Sequence, residues 1–359
     1  MKQRRLILLA VALPLLFSCG GKDNIINIPP PPTPVKPNPG GNPGQGGGDK
    51  PTGPWEANRG KVVTPSGTGW TKKTVREGIT YYAFSGKDPV TGVSQNVCAI
   101  DLDLTNDSYA VQLTYSAPAT FTSNVHAKYN AIATMNAGYE AGSIFIRVGG
   151  QNKSILPNLE IGDTKVSNWK SEAGIFCDGG RSISIQAAEQ LIRPYVSPSS
   201  DKMSAFISAE RSFYYGKDEP YVISSSPMLV KDYEPVGETF IDMSYPNWSK
   251  LNTEHPQYHQ RKRHPRSAVG LTENKHFIMI VVDGRQSGTA EGMSAKELTQ
   301  FFVKNFNPQY ALNMDGGGST AMCVEGLGKA DTHVVNVPIN DNKKGNERAR
   351  DTHFIIIEK

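Results

Sequence analysis

Asp315 stands directly before Gly316-Gly317-Gly318-Ser319-Thr320, at the end of the apolar run Ala311-Leu312-Asn313-Met314. Three successive glycines let a chain bend sharply and approach a ligand closely. Successive N–H groups in such a loop form a concave donor set for an anionic oxygen, and the hydroxyls of Ser319 and Thr320 can add to it. A carboxylate at the mouth of an anion site suits chemistry on the ligand better than simple retention of it. A plain turn between two strands needs neither three glycines nor the Ser-Thr pair that follows.

A second stretch points the same way. Arg263-His264-Pro265-Arg266-Ser267-Ala268-Val269-Gly270 precedes Phe277-Ile278-Met279-Ile280-Val281-Val282, which reads as a fully buried strand ending in Asp283-Gly284-Arg285. Ligands bind where buried strands surface. Arg266 and Arg285 bracket this strand and are candidate phosphate or carboxylate clamps, because a guanidinium fork meets an oxyanion through two parallel hydrogen bonds. Either arginine alone reads as a solvated surface charge; their position beside a glycine loop favours the clamp.

The order of these segments, with Gly292-Met293-Ser294, Asn336-Val337-Pro338 and Glu347-Arg348, resembles the phosphodiester glycosidase family. That family includes bacterial envelope proteins and the enzyme that uncovers mannose 6-phosphate by removing N-acetylglucosamine. The resemblance is specific over 263–359. Upstream, Ala131 to Tyr139 is similar to the family's small-residue strand ending in Asn-Gly-x-Phe, with Ala137 in place of the glycine and Tyr139, followed by Glu140, as the aromatic; this makes Asn136 a candidate binding residue. The resemblance implies a hydrolase that breaks the bond between an anomeric carbon and a phosphate oxygen. The leaving group is then a phosphate monoester with a second pKa of about 6, which departs far more readily than an alkoxide. Such a reaction needs stabilisation of phosphate charge, expected from Gly316 to Thr320 with Arg266 and Arg285, and a carboxylate near the oxocarbenium-like carbon. Asp315 is expected as that nucleophile or base, with Asp283 or Glu347 as the second carboxylate. A different class, a binding lipoprotein that captures phosphorylated or acidic glycans without turnover, needs the arginines and glycines but no reacting carboxylate. An ATP loop of the kinase kind is disfavoured, since the P-loop lysine is missing and exported proteins have no ATP supply.

The elements that must position these residues are β-rich. Strand character is read at Tyr81–Phe84, Val97–Leu104, Tyr109–Thr114, Ala131–Met135, Ile144–Val148, Ser182–Gln186, Tyr221–Val230, Phe277–Val282, Ala311–Met314, Val334–Val337 and Phe354–Ile357. A helix is expected after Ser294, where Glu297 completes a capping box and Leu298, Phe301 and Phe302 share a face; a second is expected from Ser123 to about Asn130. Ile192 to Trp248, rich in Pro, Ser and Tyr, reads as long loops that shape a substrate cleft. The fold class is therefore α+β, with β-rich mixed sheets, a few helices and a single large catalytic domain at 55–359.

Lys2, Arg4 and Arg5 precede the apolar stretch Leu6 to Phe17, which is too short to span a bilayer and fits a signal peptide at 1–18. Leu16-Phe17-Ser18-Cys19 reads as a lipobox, with Cys19 lipidated as the mature N-terminus. The Pro- and Gly-dominated remainder of 19–54 cannot bury enough surface to offset its ordering entropy and is a linker, extended at roughly 3 Å per residue where proline-rich. The expected location is the cell envelope, lipid-anchored, at the periplasmic or outer-membrane surface. Without the three basic residues of the signal, 35 basic residues face 34 acidic ones, so general attraction to nucleic acid is not indicated.

Cys98, Cys177 and Cys323 allow at most one disulfide and fit no zinc spacing; Cys98 reads as core, and Cys323 as packing beside the glycine loop. His255, His259 and His264 form the one metal-like cluster, but Pro256 and Pro265 argue against a helix spanning them, and they read as loop histidines. No cofactor is expected and no metal site is assigned.

Overall fold

The seven-stranded sheet at the centre of the fold is built on the apolar run that ends at Val282. In the computed structural model residues 53–155, 169–187 and 212–359 are described. The expected signal peptide, Cys19, nearly all of the linker and residues 192–211 of the expected loop region lie outside them. Strand order in this sheet is β1 (Trp70–Arg76), β2 (Ile79–Lys87), β3 (Ser94–Asp103), β13 (His276–Val282), β12 (Arg266–Leu271), β14 (Tyr310–Asn313) and β11 (Met228–Lys231).

β13 is apolar from Phe277 to Val282 because both of its faces are covered there. Phe277, Met279 and Val281 join one core with Ile100 and Leu312, while Ile278, Ile280 and Val282 join another with Leu298, Phe301 and Phe302. The second core is closed by the helix Ala295–Phe306, which begins where the capping box places it. The Ser294 side chain accepts from the Glu297 N–H at 3.3 Å and the Glu297 carboxylate accepts from the Ser294 N–H at 2.9 Å. A cap of this kind stabilises a helix by about 0.5–2 kcal/mol. The other core lies under two smaller sheets. One has the order β7 (Gln151–Ser154), β6 (Ile146–Val148), β10 (Tyr221–Ser225), β8 (Ala173–Cys177), β9 (Ile183–Ala187); the other has β15 (Met322–Val324), β5 (Ala133–Asn136), β18 (Arg350–Glu358), β4 (Tyr109–Thr120). A two-stranded ribbon pairs β16 (Ile339–Asn340) with β17 (Lys343–Lys344).

The class is α+β, as the strand-rich pattern with few helices implies. The ladders between described strands are all antiparallel, and the expected mixture of directions is confined to two isolated parallel bridges, Ala141↔Ile144 and Ile339↔Asn346. Two strands differ from expectation for local reasons. Tyr221–Val230 is not continuous: Pro227, which has no N–H to give a ladder, separates β10 from β11, and the halves enter different sheets. Val334–Val337 does not form a strand, because Asn336 and Val337 turn their donors to the Asp283 carboxylate. The second expected helix is present at Thr122–Tyr129. Cys98, Cys177 and Cys323 are buried free thiols, and burial pushes Cys98 up to about 12 and Cys177 up to about 11. Among the described residues no helix is long and apolar enough to cross a membrane.

Candidate active site

Asp315 is fixed where β14, β12 and the end of β5 meet. The Met314 N–H donates to the Ser267 carbonyl at 2.8 Å and the Asp315 N–H to the Ala137 carbonyl at 3.0 Å. Asn136, fully buried at the end of β5, ties the same three segments: its Nδ2 donates to the Asp315 carbonyl at 2.7 Å, and its Oδ1 accepts from the Ser267 hydroxyl at 2.8 Å and the Ala321 N–H at 3.2 Å. Asn136 therefore sits beneath the site and holds its floor; the structure does not bring it to the surface where a ligand would lie.

The three glycines answer different constraints: backbone crowding at Gly316, a left-handed backbone at Gly317, and the approach of movable guanidinium groups at Gly317 and Gly318. A Cβ on Gly316 would stand 2.6 Å from the Pro265 carbonyl oxygen, one on Gly317 (φ +64°) 2.9 Å from Arg285 Nη2, and one on Gly318 2.6 Å from Arg348 Nη2. Two guanidinium groups thus roof the loop. Three of the five N–H groups of the expected cradle are spent within the loop. The N–H groups of Gly317, Ser319 and Thr320 donate to the carbonyls of Pro265, Gly316 and Gly317, closing a tight turn, and the Ser319 and Thr320 side chains are buried below it. The glycines supply close approach, and the donor set left to a ligand is smaller than the sequence suggests.

The two expected arginine clamps have different fates. Arg266 is 1 % exposed. Its Nε donates to the Met293 carbonyl at 2.8 Å, Nη1 to Gln260 Oε1 at 2.8 Å, and Nη2 to the carbonyls of His259 and Lys262 at 3.0 and 2.9 Å. A fork so occupied organises the chain around 259–266 and is not placed to hold a ligand. Arg285 lies at the site, in the left-handed region at φ 61°, a strained backbone for a non-glycine residue of the kind that collects at functional sites. Its partner over the loop is Arg348, whose Nε donates to Asn340 Oδ1 at 3.0 Å. Among the described residues neither is paired with a carboxylate. Desolvation, and then Arg348, push the Arg285 guanidinium below its ordinary value.

Neither expected second carboxylate lines the cleft. Asp283 is 3 % exposed and accepts from Asn336 Nδ2 and from the Val337 N–H, pinning the 336–337 turn. Glu347 accepts from the Ser123 N–H at 3.0 Å and so satisfies a free donor in the first turn of the helix Thr122–Tyr129. The carboxylate that does stand with Asp315 is Glu140. Arg350, the first residue of β18, bridges the two, with Nε 3.1 Å from Asp315 Oδ2 and Nη2 3.8 Å from Glu140 Oε2. Lys170 lies across Glu140 at 2.9 Å and Glu254 at 3.1 Å, above the Tyr139 ring. These side chains, with Arg285, Arg348 and Gly316, line a cleft of about 320 Å³.

The two carboxyl groups are pushed in opposite directions. Burial raises Asp315 above the ordinary Asp value, against the lowering effects of Arg350 and the Ser319 hydroxyl; the Glu140 charge adds to the rise. Glu140 is raised by desolvation, but Lys170 overcomes this and its net shift is downward. His259 and His264 also line the cleft, their rings 5.9 Å apart, and burial with the neighbouring Arg266 holds both neutral, His264 at about 3. His255 does not join them; it caps the turn Pro256–His259 by accepting from the Gln257 N–H, with Pro256 as the first residue of that turn. Among the described residues no group of three or more His, Cys, Asp or Glu is placed to hold a metal ion. A larger hollow of about 930 Å³ lies beside β9 and Lys275, but among the described residues Asp178 is the one acidic side chain lining it, so these offer no pair of carboxylates.

Glu140, Lys170 and Arg350 were not singled out by sequence. For Glu140 a signal existed, a carboxylate four residues after Asn136 in the small-residue strand; Lys170 is brought in by a turn far from every motif.

The phosphodiester glycosidase family model matches residues 130–357, more than half of the chain. A search of the curated proteins finds no match. Among solved structures, a protein of Burkholderia pseudomallei K96243 is 10% identical with a TM-score of 0.51, covering 83% of this chain and 98% of that one. The catalytic domain of zebrafish N-acetylglucosamine-1-phosphodiester alpha-N-acetylglucosaminidase, auto-inhibited by its pro-peptide, is 15% identical with a TM-score of 0.49, covering 83% and 87%. A hypothetical protein from Synechocystis is 12% identical with a TM-score of 0.49, covering 82% of this chain and 64% of that one, so this chain spans less than two thirds of that relative's length. On the extent of the family match, the chain belongs to the phosphodiester glycosidase family.

Proposed function

We propose that this chain hydrolyses a sugar phosphodiester by attack at the anomeric carbon, with Asp315 as the general base. The observation that carries the reading is a buried carboxylate of raised pKa beside a loop roofed by two arginines that have no carboxylate partner among the described residues. Water attacks the anomeric carbon while the bond from that carbon to the phosphate oxygen breaks. The electron pair of that bond stays on the phosphate, and the water proton passes to Asp315. A carboxylate whose pKa is raised is a stronger base, yet Arg350 keeps it able to ionise. Glu140, held ionised by Lys170, supplies negative charge to the oxocarbenium-like carbon. Arg285 and Arg348 take the second charge that the phosphate gains as it becomes a monoester. The same reading puts the enzyme at the cell envelope, tethered by lipid on Cys19; Lys2, Arg4, Arg5, the apolar run to Phe17 and the small Ser18 before Cys19 support it.

The test is release of reducing sugar from a panel of α-sugar 1-phosphate methyl diesters, followed as a function of pH. The acidic limb of kcat/KM reports ionisation of Asp315 and is expected above the ordinary Asp range. Glu140 raises that pKa and Arg350 lowers it, so Glu140→Gln moves the limb to lower pH and Arg350→Gln to higher pH. Tight binding of the diesters with no sugar released would make the protein a binding lipoprotein instead, and limbs unmoved in both variants would take Asp315 out of the base role.

A further inference from the structure

The cleft continues past Tyr258 onto a strip of aromatic rings and cations. Tyr258 lines the cleft from the turn Pro256–His259, and its ring centroid lies 6.2 Å from that of Trp248. Lys262 Nζ stands 4.2 Å above the Tyr258 ring and donates to its hydroxyl at 2.5 Å. The Arg261 guanidinium lies 4.5 Å above Trp248. One of its nitrogens, Nη2, donates to the Met243 carbonyl at 3.2 Å; Nη1 is buried without a hydrogen-bond partner. The chain leaving the turn folds back on it, the Lys262 N–H donating to the Tyr258 carbonyl at 3.3 Å, so each ring carries one cation, Lys262 on Tyr258 and Arg261 on Trp248.

Beyond Arg261 lies a second hollow of about 280 Å³, lined by Met243, Arg261, Arg263 and Lys296. Arg263 is occupied there by Glu297. Arg261, Lys262 and Lys296 form no ion pair with a carboxylate among the described residues, although the Arg261 charge is felt by Asp242 nearby. Unpaired cations beside a cleft that already binds one anion raise the local potential for a second. An acyl chain would need apolar area, and among the described residues Met243, 59% exposed, is the one large exposed hydrophobic side chain at this hollow. A neutral glycan would leave the cations unused. Flat rings alternating with unpaired cations suit a unit that carries a sugar ring and an anion together.

We propose that the strip Tyr258–Trp248–Arg261–Lys296 is a second subsite for the next repeat of a phosphodiester-linked glycan, so that the substrate class is a polymer of sugar phosphates. The inference rests on the glycosidase reading of the cleft but concerns what lies beside it. Two linked units held at two subsites bind as one ligand with a raised effective concentration, which multiplies affinity by up to about 10²–10⁴ when the geometry fits.

The test uses the full chain carrying Asp315→Asn, so that binding is read without turnover, with titration calorimetry of four probes. These are methyl α-glucose 1-phosphate, a tetramer of glucose units joined 1→6 through phosphodiesters, the neutral α-1,6 glucose tetramer, and inorganic tetraphosphate. The phosphodiester tetramer is expected to bind on the order of tenfold tighter than the methyl diester or more. Trp248→Ala, and separately the pair Arg261→Gln with Lys296→Gln, should bring the tetramer to the affinity of the methyl diester and leave the methyl diester unchanged. Equal affinity for the two diesters overturns the proposal, as does neutral tetramer or tetraphosphate binding as tightly as the phosphodiester tetramer. The parent protein separates this from the reaction itself: strip-dependent binding without sugar release sinks the glycosidase reading and keeps the subsite, whereas equal kcat/KM on methyl diester and tetramer does the reverse.

Discussion

Asp315→Asn should lower kcat by about three orders of magnitude and leave the protein folded. The substitution is isosteric, and the contacts that place the residue run through its backbone, from its own N–H to Ala137 and from Asn136 to its carbonyl, so the loop keeps its shape. What is lost is the charge proposed to take the water proton, together with the partner of Arg350 Nε at 3.1 Å. Substrate affinity should change little, because the proposed phosphate clamp, Arg285 with Arg348, is left intact. The measurement is single-turnover kinetics beside circular dichroism; a folded variant with near-parent kcat would remove Asp315 from the mechanism.

The second large effect is expected from the roof of the loop. Arg285→Ala and Arg348→Ala should each cost about tenfold in kcat/KM and together about a hundredfold, since a charge-assisted hydrogen bond contributes about 1.5–3 kcal/mol and both side chains are partly solvated. Inhibition by inorganic phosphate should weaken in the same order. Arg266→Met is the contrasting variant: it strips the His259, Lys262 and Met293 carbonyls of their donors, so it should lower Tm by several degrees while the phosphate inhibition constant of the folded fraction stays put. A phosphate constant that responds to Arg266 and not to Arg285 or Arg348 would invert this assignment.

The contrast between Arg266 and Arg285 shows where sequence is informative. Both bracket the same apolar segment, and nothing local tells which fork turns inward. Arg266 opens β12, where a long return through 256–262 wraps carbonyls around it; Arg285 leaves β13 in a left-handed turn that swings it over Gly317. The glycine loop, the β13 strand and the capped helix at Ser294 were legible because each is set by residues within one or two turns of chain. The second carboxylate was not. Asp283 and Glu347 carry the right group beside the right motifs, but Asn336 and Ser123, distant in sequence, claim them. Glu140 reaches the site because β5 lies beside β18, which delivers Arg350 to both carboxylates. That pairing is long-range and leaves no local trace. The glycines illustrate a subtler gap: their spacing announced a close approach, yet whether their N–H groups face a ligand or close the turn depends on the Pro265 carbonyl, which accepts from Gly317 at 2.8 Å.

Which bond breaks decides the central claim. Hydrolysis of a sugar phosphodiester in water enriched in oxygen-18, followed by mass spectrometry of both products, locates the oxygen that enters. With Asp315 activating water toward the anomeric carbon and Arg285 and Arg348 holding a departing phosphate, the heavy oxygen must appear in the released sugar, and the phosphate monoester must stay unlabelled. Label in the phosphate monoester, with unlabelled sugar, would mean attack at phosphorus and would contradict the glycosidase account.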